Sequence, residues 1–199
     1  MDSHDVRRQW AERDGEYSPT YYAHRGRDAT SEFLRETLAE CVGTDARVLE
    51  VGCGVGRHLA ELFEAGFTEL TGVDVNDEAI DVLAETYPDL AAAGEFHATT
   101  IEEFLPDLAD GAFDAVYSVE TLQHVHREAE WVFDDIARVT GEWLVTVENE
   151  SGEFGTVNYV DDDVPLYYRD WERVFTERGF EQVATSAGRR DRRRVFRRE

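Results

Sequence analysis

Between an acid at position 50 and an arginine at position 57, the chain places glycine at every second residue: Gly52, Gly54 and Gly56. Glycine reaches positive φ without a steric penalty and lets backbone groups approach a ligand closely, so this turn can hold a small molecule against the main chain. Spacing excludes two phosphate chemistries. A dinucleotide fingerprint G-x-G-x-x-G begun at Gly52 needs glycine where Arg57 stands, and begun at Gly54 it needs glycine where Leu59 stands. A phosphate loop G-x-x-x-x-G-K-S/T also meets Arg57, and the chain contains no lysine. A second acid, Asp74, ends the next apolar run, where a carboxylate accepts hydrogen bonds from both hydroxyls of a ribose. Cys53 lies inside the turn and reads as a small residue rather than a nucleophile; with Cys41 it makes neither a disulfide framework nor a metal site. Further on, His124 and His126 supply side chains that titrate near neutrality. Two residues apart on a helix they point to different faces, so no metal site is expected.

A turn of this kind needs a strand before it and a helix after it. Apolar runs at 48–51, 70–74, 95–98, 112–118 and 142–148 predict buried strands. Amphipathic stretches at 57–65, 78–87, 101–108 and 128–140 predict the helices between them, with Gly66 and Gly141 where helices should stop. This alternation implies an α/β fold: a parallel sheet with right-handed crossovers and helices on both faces. After the fifth strand, 149–166 reads as polar and irregular and 169–178 as a helix. Residues 181–187 and 193–198 read as strands joined by a Gly-Arg-Arg-Asp turn, an antiparallel pair at one sheet edge. An aromatic-rich lead-in at 10–24 and a helix at 31–41 precede the sheet. With no repeat and no linker, one domain over 1–199 is expected, comprising an N-terminal helical and aromatic lid region (1–42) and a ligand-binding core (43–199).

Three runs carry a resemblance: E-V-G-C-G-V-G at 50–56, L-T-G-V-D at 70–74 and F-D-A-V-Y-S-V-E-T-L-Q-H-V at 113–125. In this order and spacing the chain resembles the class I S-adenosylmethionine-dependent methyltransferases, and within them the small-molecule branch similar to the quinone-biosynthesis enzymes. The likeness covers roughly residues 31–187, and the segment 167–180 with the edge hairpin matches the family's last helix and its sixth and seventh strands. It implies a Rossmann-like seven-stranded, mostly parallel sheet with an antiparallel edge hairpin, and S-adenosylmethionine as cofactor with S-adenosylhomocysteine as product. By the same resemblance, Glu50, Gly52, Cys53, Gly54 and Gly56 surround the methionine part. Asp74 holds the ribose, Val75 lies against the adenine, and Ser118 and Val119 offer backbone groups near the amino end. One departure leaves the adenine contact open among Thr100, a backbone group and Glu102: Thr99 and Thr100 stand where the family often has Asp.

Methyl transfer from a sulfonium is an in-line displacement, so alignment can supply much of the acceleration. A base is needed only where the acceptor must lose a proton. His124 is the candidate base and His126 a candidate substrate contact; the plainer reading is that His124 caps or packs a strand–helix junction. Tyr21 and Tyr22, with Trp10, Tyr17 and His24, either form a lid on the acceptor or simply pack the lead-in onto the core. Asn149 and Tyr159, with Asn158 and Tyr167, lie in the insert that often shapes the acceptor pocket in this family. The acidic run 161–163 could attract a cation, but in so acidic a chain it reads as solvated surface.

Acids number 44 against 20 basic residues, every one arginine, for a net charge of −24. Such a charge repels nucleic acid and anionic membrane in ordinary buffer. Molar salt shortens the Debye length to about 3 Å and screens that repulsion. Abundant carboxylates without lysine resemble the proteins of salt-accumulating halophilic microbes; the alternative is an ordinary acidic protein. The polar N-terminus and the lack of a long apolar run predict neither signal peptide nor membrane span, hence a cytoplasmic protein. Residues 189–199 hold seven of the 20 arginines and two acids. They read as an RNA or anion contact, or as an edge strand paired to the domain's own carboxylates. The place after the fourth strand reads S-V-E-T rather than N/D-P-P-Y/F/W, which counts against DNA. The expected function is methyl transfer to a small molecule by a monomer or homodimer. The rivals are an RNA or protein methyltransferase docking through the arginine strand, and a cofactor-binding protein without transferase activity.

Overall fold

The computed structural model describes residues 1–160, 164–188 and 190–199. Three helices lead in: α1 (Ser3–Ala11), α2 (Pro19–Arg25) and α3 (Ala29–Cys41). Alternation follows, with β1 (Arg47–Val51), α4 (Arg57–Glu64), β2 (Glu69–Asp74), α5 (Asp77–Thr86), α6 (Pro88–Ala93), β3 (Glu95–Ala98) and α7 (Ile101–Phe104). Then come β4 (Phe113–Val119), α8 (Val132–Val139), β5 (Thr140–Asn149), β6 (Val157–Val160), β7 (Val164–Tyr167), α9 (Trp171–Thr176), β8 (Phe180–Ala187) and β9 (Asp191–Arg198). The main sheet has seven strands in the order β3-β2-β1-β4-β5-β9-β8. Its first five are parallel; β9 runs antiparallel to β5 and β8 antiparallel to β9.

Period-two alternation in the strands divides the core. Leu49, Val51, Val116 and Leu144 face one side and pack with Ile136, Trp171 and Phe175 of α8 and α9. Val48, Ala115, Tyr117 and Val145 face the other side, with Leu34 and Leu38 of α3, Leu59 and Leu62 of α4, and Leu90 of α6. Fully burying one such leucine or valine contributes about 1.5–3 kcal/mol, so the helices are fixed to both faces by the strands they follow.

Several elements differ from the sequence-based expectation. An additional helix, α6, follows α5, with Pro88 in its first turn, where the missing N–H costs nothing. Gly141 does not end a helix: it is the second residue of β5, and a Cβ there would stand 2.9 Å from the Phe113 carbonyl oxygen. The helix expected at 128–140 is a 3-10 turn, Arg127–Ala129, followed by α8. The stretch expected to be irregular contains the antiparallel pair β6–β7; the acidic run 161–163 lies outside the described residues. All four residues of β7 are buried, and β7 packs on α1 and on a 3-10 turn, Leu122–His124. The arginine strand β9 is not an edge strand; β8 is the edge and β9 lies between it and β5.

Candidate active site

Chain direction across the sheet reverses between β1 and β4, because β2 and β3 lie on one side and β5 on the other. Ligands of open α/β sheets bind in the crevice at such a point, beyond the carboxyl ends of the strands. The glycine turn follows β1 there, and the segment 119–121 follows β4. Gly52, at φ 73°, is so close to that segment that a Cβ would stand 2.1 Å from Thr121 Oγ1. Gly54, at φ 50°, has open space beyond it, whereas a Cβ on Gly56 would strike Leu83 of α5 at 2.5 Å. Gly52 and Cys53 donate their N–H groups to the Val73 carbonyl at 2.9 and 3.0 Å. The Cys53 thiol is buried against Gly72, where a Cβ would come within 2.8 Å of Sγ. Cys53 is thus the small residue that fits between two strands.

Both acids of the motif are held by the fold. Glu50 is 1% exposed and accepts a hydrogen bond from the Tyr117 hydroxyl at 3.0 Å; burial pushes its carboxyl well above the usual range. Asp74 accepts from the Gly54 N–H at 2.8 Å and the Asn76 N–H at 2.9 Å. Burial raises its carboxyl too, and those backbone bonds oppose the rise. Each carboxylate oxygen keeps a second acceptor site.

A cavity of about 200 Å³ opens over this crevice. Glu50, Gly52, Cys53, Gly54, Asp74, Val75, Thr100, Val119, Tyr22, His124 and His126 line it. Five expected site residues do not. Gly56 serves as N-cap of α4. Ser118 is buried and gives its hydroxyl proton to Glu148 at 2.8 Å. Tyr21 packs edge-on to Tyr22 and against Arg25. Asn149 accepts from the Ser151 N–H and hydroxyl. Tyr159 is 54% exposed on β6, because the insert forms an antiparallel pair of its own. Thr100 caps α7 by accepting the Glu103 N–H at 3.2 Å, and its hydroxyl proton stays available.

The lead-in forms one wall. Trp10 of α1 accepts the Asn76 side-chain amide at its carbonyl (3.1 Å), and its ring lies 4.6 Å from that of His124. Arg7 pairs with Glu102 at 3.0 Å, tying α1 to α7. Arg57, the residue that defeated the phosphate motifs, points back to the lead-in: it bonds Asp28 at 2.5 Å and lies 5.3 Å from the Tyr22 ring centre.

His124 is 8% exposed, with Nδ1 3.0 Å from the Pro165 carbonyl of β7 and Nε2 3.2 Å from the Gln123 amide. A proton on Nδ1 satisfies the first contact and leaves Nε2 to accept from Gln123. Burial lowers the imidazole to about 4. It is therefore neutral at pH 7, with its lone pair engaged. Glu148, which the sequence does not mark, organises the same turn: it accepts from Ser118 Oγ and from the N–H groups of Thr121, Leu122 and Gln123. Also unmarked are Val6, Arg13, Asn76 and Glu120 on the cavity wall. Glu120 was legible as the acid inside S-V-E-T, the other three only from the fold. The C-terminal arginines are largely engaged internally. Arg194 meets Glu150 at 2.8 and 2.9 Å and Glu172 at 3.0 Å, Arg197 meets Glu142 at 2.8 Å, and Arg198 bonds the Thr140 carbonyl.

Sheet order, crevice turn and paired acids define the Rossmann-like class in which a nucleoside-bearing molecule sits over β1 and β4. Residues 48–142 match the family model described as a methyltransferase domain. An O-methyltransferase of Aspergillus nomiae is 27% identical over 125 residues, covering 60% of this chain and 55% of that protein. A ubiquinone biosynthesis O-methyltransferase of Aromatoleum aromaticum is 33% identical over 113 residues, covering 52% of this chain and 47% of that protein. The chain thus spans about half or less of the length of the curated relatives it matches. The magnesium protoporphyrin IX methyltransferase of Synechocystis PCC 6803, solved with bound SAH, shares the fold across 100% of both chains, with a TM-score of 0.74 at 15% identity.

Proposed function

We propose that this protein transfers a methyl group from S-adenosylmethionine to a small-molecule acceptor. One observation carries the reading: Glu50, the open face of Gly54, and Asp74 converge on a single cavity at the reversal of the sheet. The donor set fits the cofactor. Glu50, buried with one hydroxyl donor, suits the ammonium of an amino acid. Asp74, fixed by two backbone N–H groups with acceptor sites to spare, suits a pair of ribose hydroxyls. Val75, Thr100 and Val119 offer the apolar and hydrogen-bonding surfaces for the base and the amino end. Bound there, S-adenosylmethionine supplies a methyl carbon on positively charged sulfur. The residues around it orient that carbon, exclude water and hold the acceptor in line, from which alignment draws its rate effect. The curated relatives that act as O-methyltransferases support a small-molecule acceptor. His124 acts as a structural wall rather than the base, its ring being neutral and bonded at both nitrogens. Metabolite extracts incubated with the protein in molar salt are expected to release S-adenosylhomocysteine. Cofactor binding without release from any extract favours the binding-protein reading instead.

Docking of RNA or protein through the C-terminal strand is the weaker reading, because Arg194, Arg197 and Arg198 already hold Glu150, Glu172, Glu142 and the Thr140 carbonyl.

A further inference from the structure

Glu120 is the first residue after β4 and sits at φ 51°, a left-handed conformation uncommon for a residue with a side chain. Such strain persists where surrounding contacts enforce it, and it concentrates at functional sites. Here the Glu120 N–H is fixed to the Val147 carbonyl at 2.8 Å. The conformation sends the side chain to the place where the central cavity meets a second, polar groove, so Glu120 lines both. Its side chain is exposed to these spaces.

Its neighbour there is Asp191, the first residue of β9, which lines the polar groove with it. Asp191 Oδ1 is buried and, among the described residues, receives no hydrogen bond. Two carboxyl groups at one site disfavour each other's ionisation. The charged groups around the pair are Arg57 of α4 and Arg25 of α2, with Arg190 and Arg193 beside Asp191 and the Tyr22 phenol facing Glu120. Burial, and then Asp191, raise Glu120 to about 7, and Arg57 opposes the rise. A carboxyl titrating near neutral pH on a cavity wall is matched to taking a proton there.

We propose that Glu120 is the proton acceptor of the methyl-transfer reaction, with Asp191 beside it as a positioning residue. The inference rests on the function proposed above. An acceptor O–H or N–H gives its proton to the Glu120 carboxylate while the acceptor's electron pair bonds the methyl carbon. The pair of the broken carbon–sulfur bond stays on sulfur, leaving a neutral thioether. Because the donor's sulfonium is positive and the product's sulfur neutral, a carboxyl facing that sulfur loses its proton when the donor binds and not when the product does.

Isothermal calorimetry at pH 7 in molar salt, in PIPES and in imidazole, counts that proton with S-adenosylmethionine and with S-adenosylhomocysteine as probes. Contributions from Glu50 and Asp74 cancel between the probes, which share the ammonium and ribose. A group titrating at about 7 is half protonated at pH 7, so the native protein should release up to about half a proton more with S-adenosylmethionine. Glu120→Gln should bind both probes with no such difference. Asp191→Asn should keep the difference and move it to lower pH, because removing a neighbouring negative charge eases ionisation of Glu120. Equal proton release from both probes in the native protein, or a difference that survives in Glu120→Gln, overturns the proposal. If neither probe binds, the proposed function itself falls. S-adenosylhomocysteine release by the variants in a responding extract is a second readout: Glu120→Gln is expected to lose at least tenfold in kcat with little change in KM for the donor, and an unchanged kcat contradicts the role.

Discussion

Gly52→Ala probes the closest approach in the crevice. At φ 73° an alanine meets the left-handed penalty of about 1–2 kcal/mol. Its Cβ would also lie 2.1 Å from Thr121 Oγ1, 2.3 Å from Cγ2 and 2.7 Å from Cβ, an overlap that must be relieved by moving the segment after β4. Overpacking of that kind costs about 1–3 kcal/mol, so the loss of stability should total about 2–5 kcal/mol. Thr121→Gly removes all three clashing atoms together with the hydroxyl bond to the Val119 carbonyl at 3.0 Å, and alone should cost about 1–2 kcal/mol. In the double variant the overlap is gone but the backbone penalty remains. Denaturant unfolding of the four proteins in molar salt should therefore give a favourable coupling of about 1–3 kcal/mol. An additive cycle, or a Gly52→Ala variant within about 0.5 kcal/mol of native, would refute the contact between the β1 turn and the β4 segment on which the cavity depends.

Three further outcomes follow from the same geometry. Folding keeps His124 neutral down to about pH 4, whereas an unfolded imidazole titrates at 6.5, so its stabilisation is complete above 6.5 and is lost as pH falls through 4. That window is worth about 3 kcal/mol, and His124→Gln should flatten the fall of stability with acid when unfolding is followed between pH 7 and 4. Arg194, 6% exposed and bonded to Glu150 and Glu172, should cost about 3–5 kcal/mol when changed to alanine because buried Glu150 loses its main partner. Arg197→Ala, at a half-exposed pair with Glu142, should cost under about 1 kcal/mol, and equal losses at the two sites would count against a structural arginine strand. With 44 acids and a net charge of −24, the fold should loosen on dialysis to millimolar salt; circular dichroism unchanged from molar to low salt contradicts a halophilic adaptation.

The centre of the sheet was legible because β1, β2, β4 and β5 carry apolar runs buried on both faces. Leu49 and Val116 face one layer while Val48 and Ala115 face the other, and the helices between them carry matching stripes. What escaped notice depended on contacts far apart in sequence. Gly141 looks like a helix stop, yet it is required because β4 and β5 approach within reach of the Phe113 carbonyl. The β6–β7 pair was hidden by its polar residues, although Val164, Leu166 and Tyr167 are buried under neighbours that no local pattern reveals. Glu50, Gly52, Gly54 and Asp74, which spacing singles out, line one cavity, because the turn between them closes β1 there. Ser118, expected to offer backbone groups, commits its hydroxyl to Glu148, 30 residues away in sequence, a contact that no local pattern reveals. The carboxyl beside Glu120 lies on β9, in the arginine-rich tail that composition alone links to surface charge.

Titration of S-adenosylmethionine into the native protein and Asp74→Ala in molar salt tests the proposed function most directly. Saturable one-to-one binding is expected. The variant, lacking a charged acceptor for the ribose hydroxyls worth about 1.5–3 kcal/mol, should bind about 10- to 100-fold more weakly. No binding by the native protein, or equal affinity in the variant, would contradict a cofactor seated over the carboxyl ends of β1 and β2.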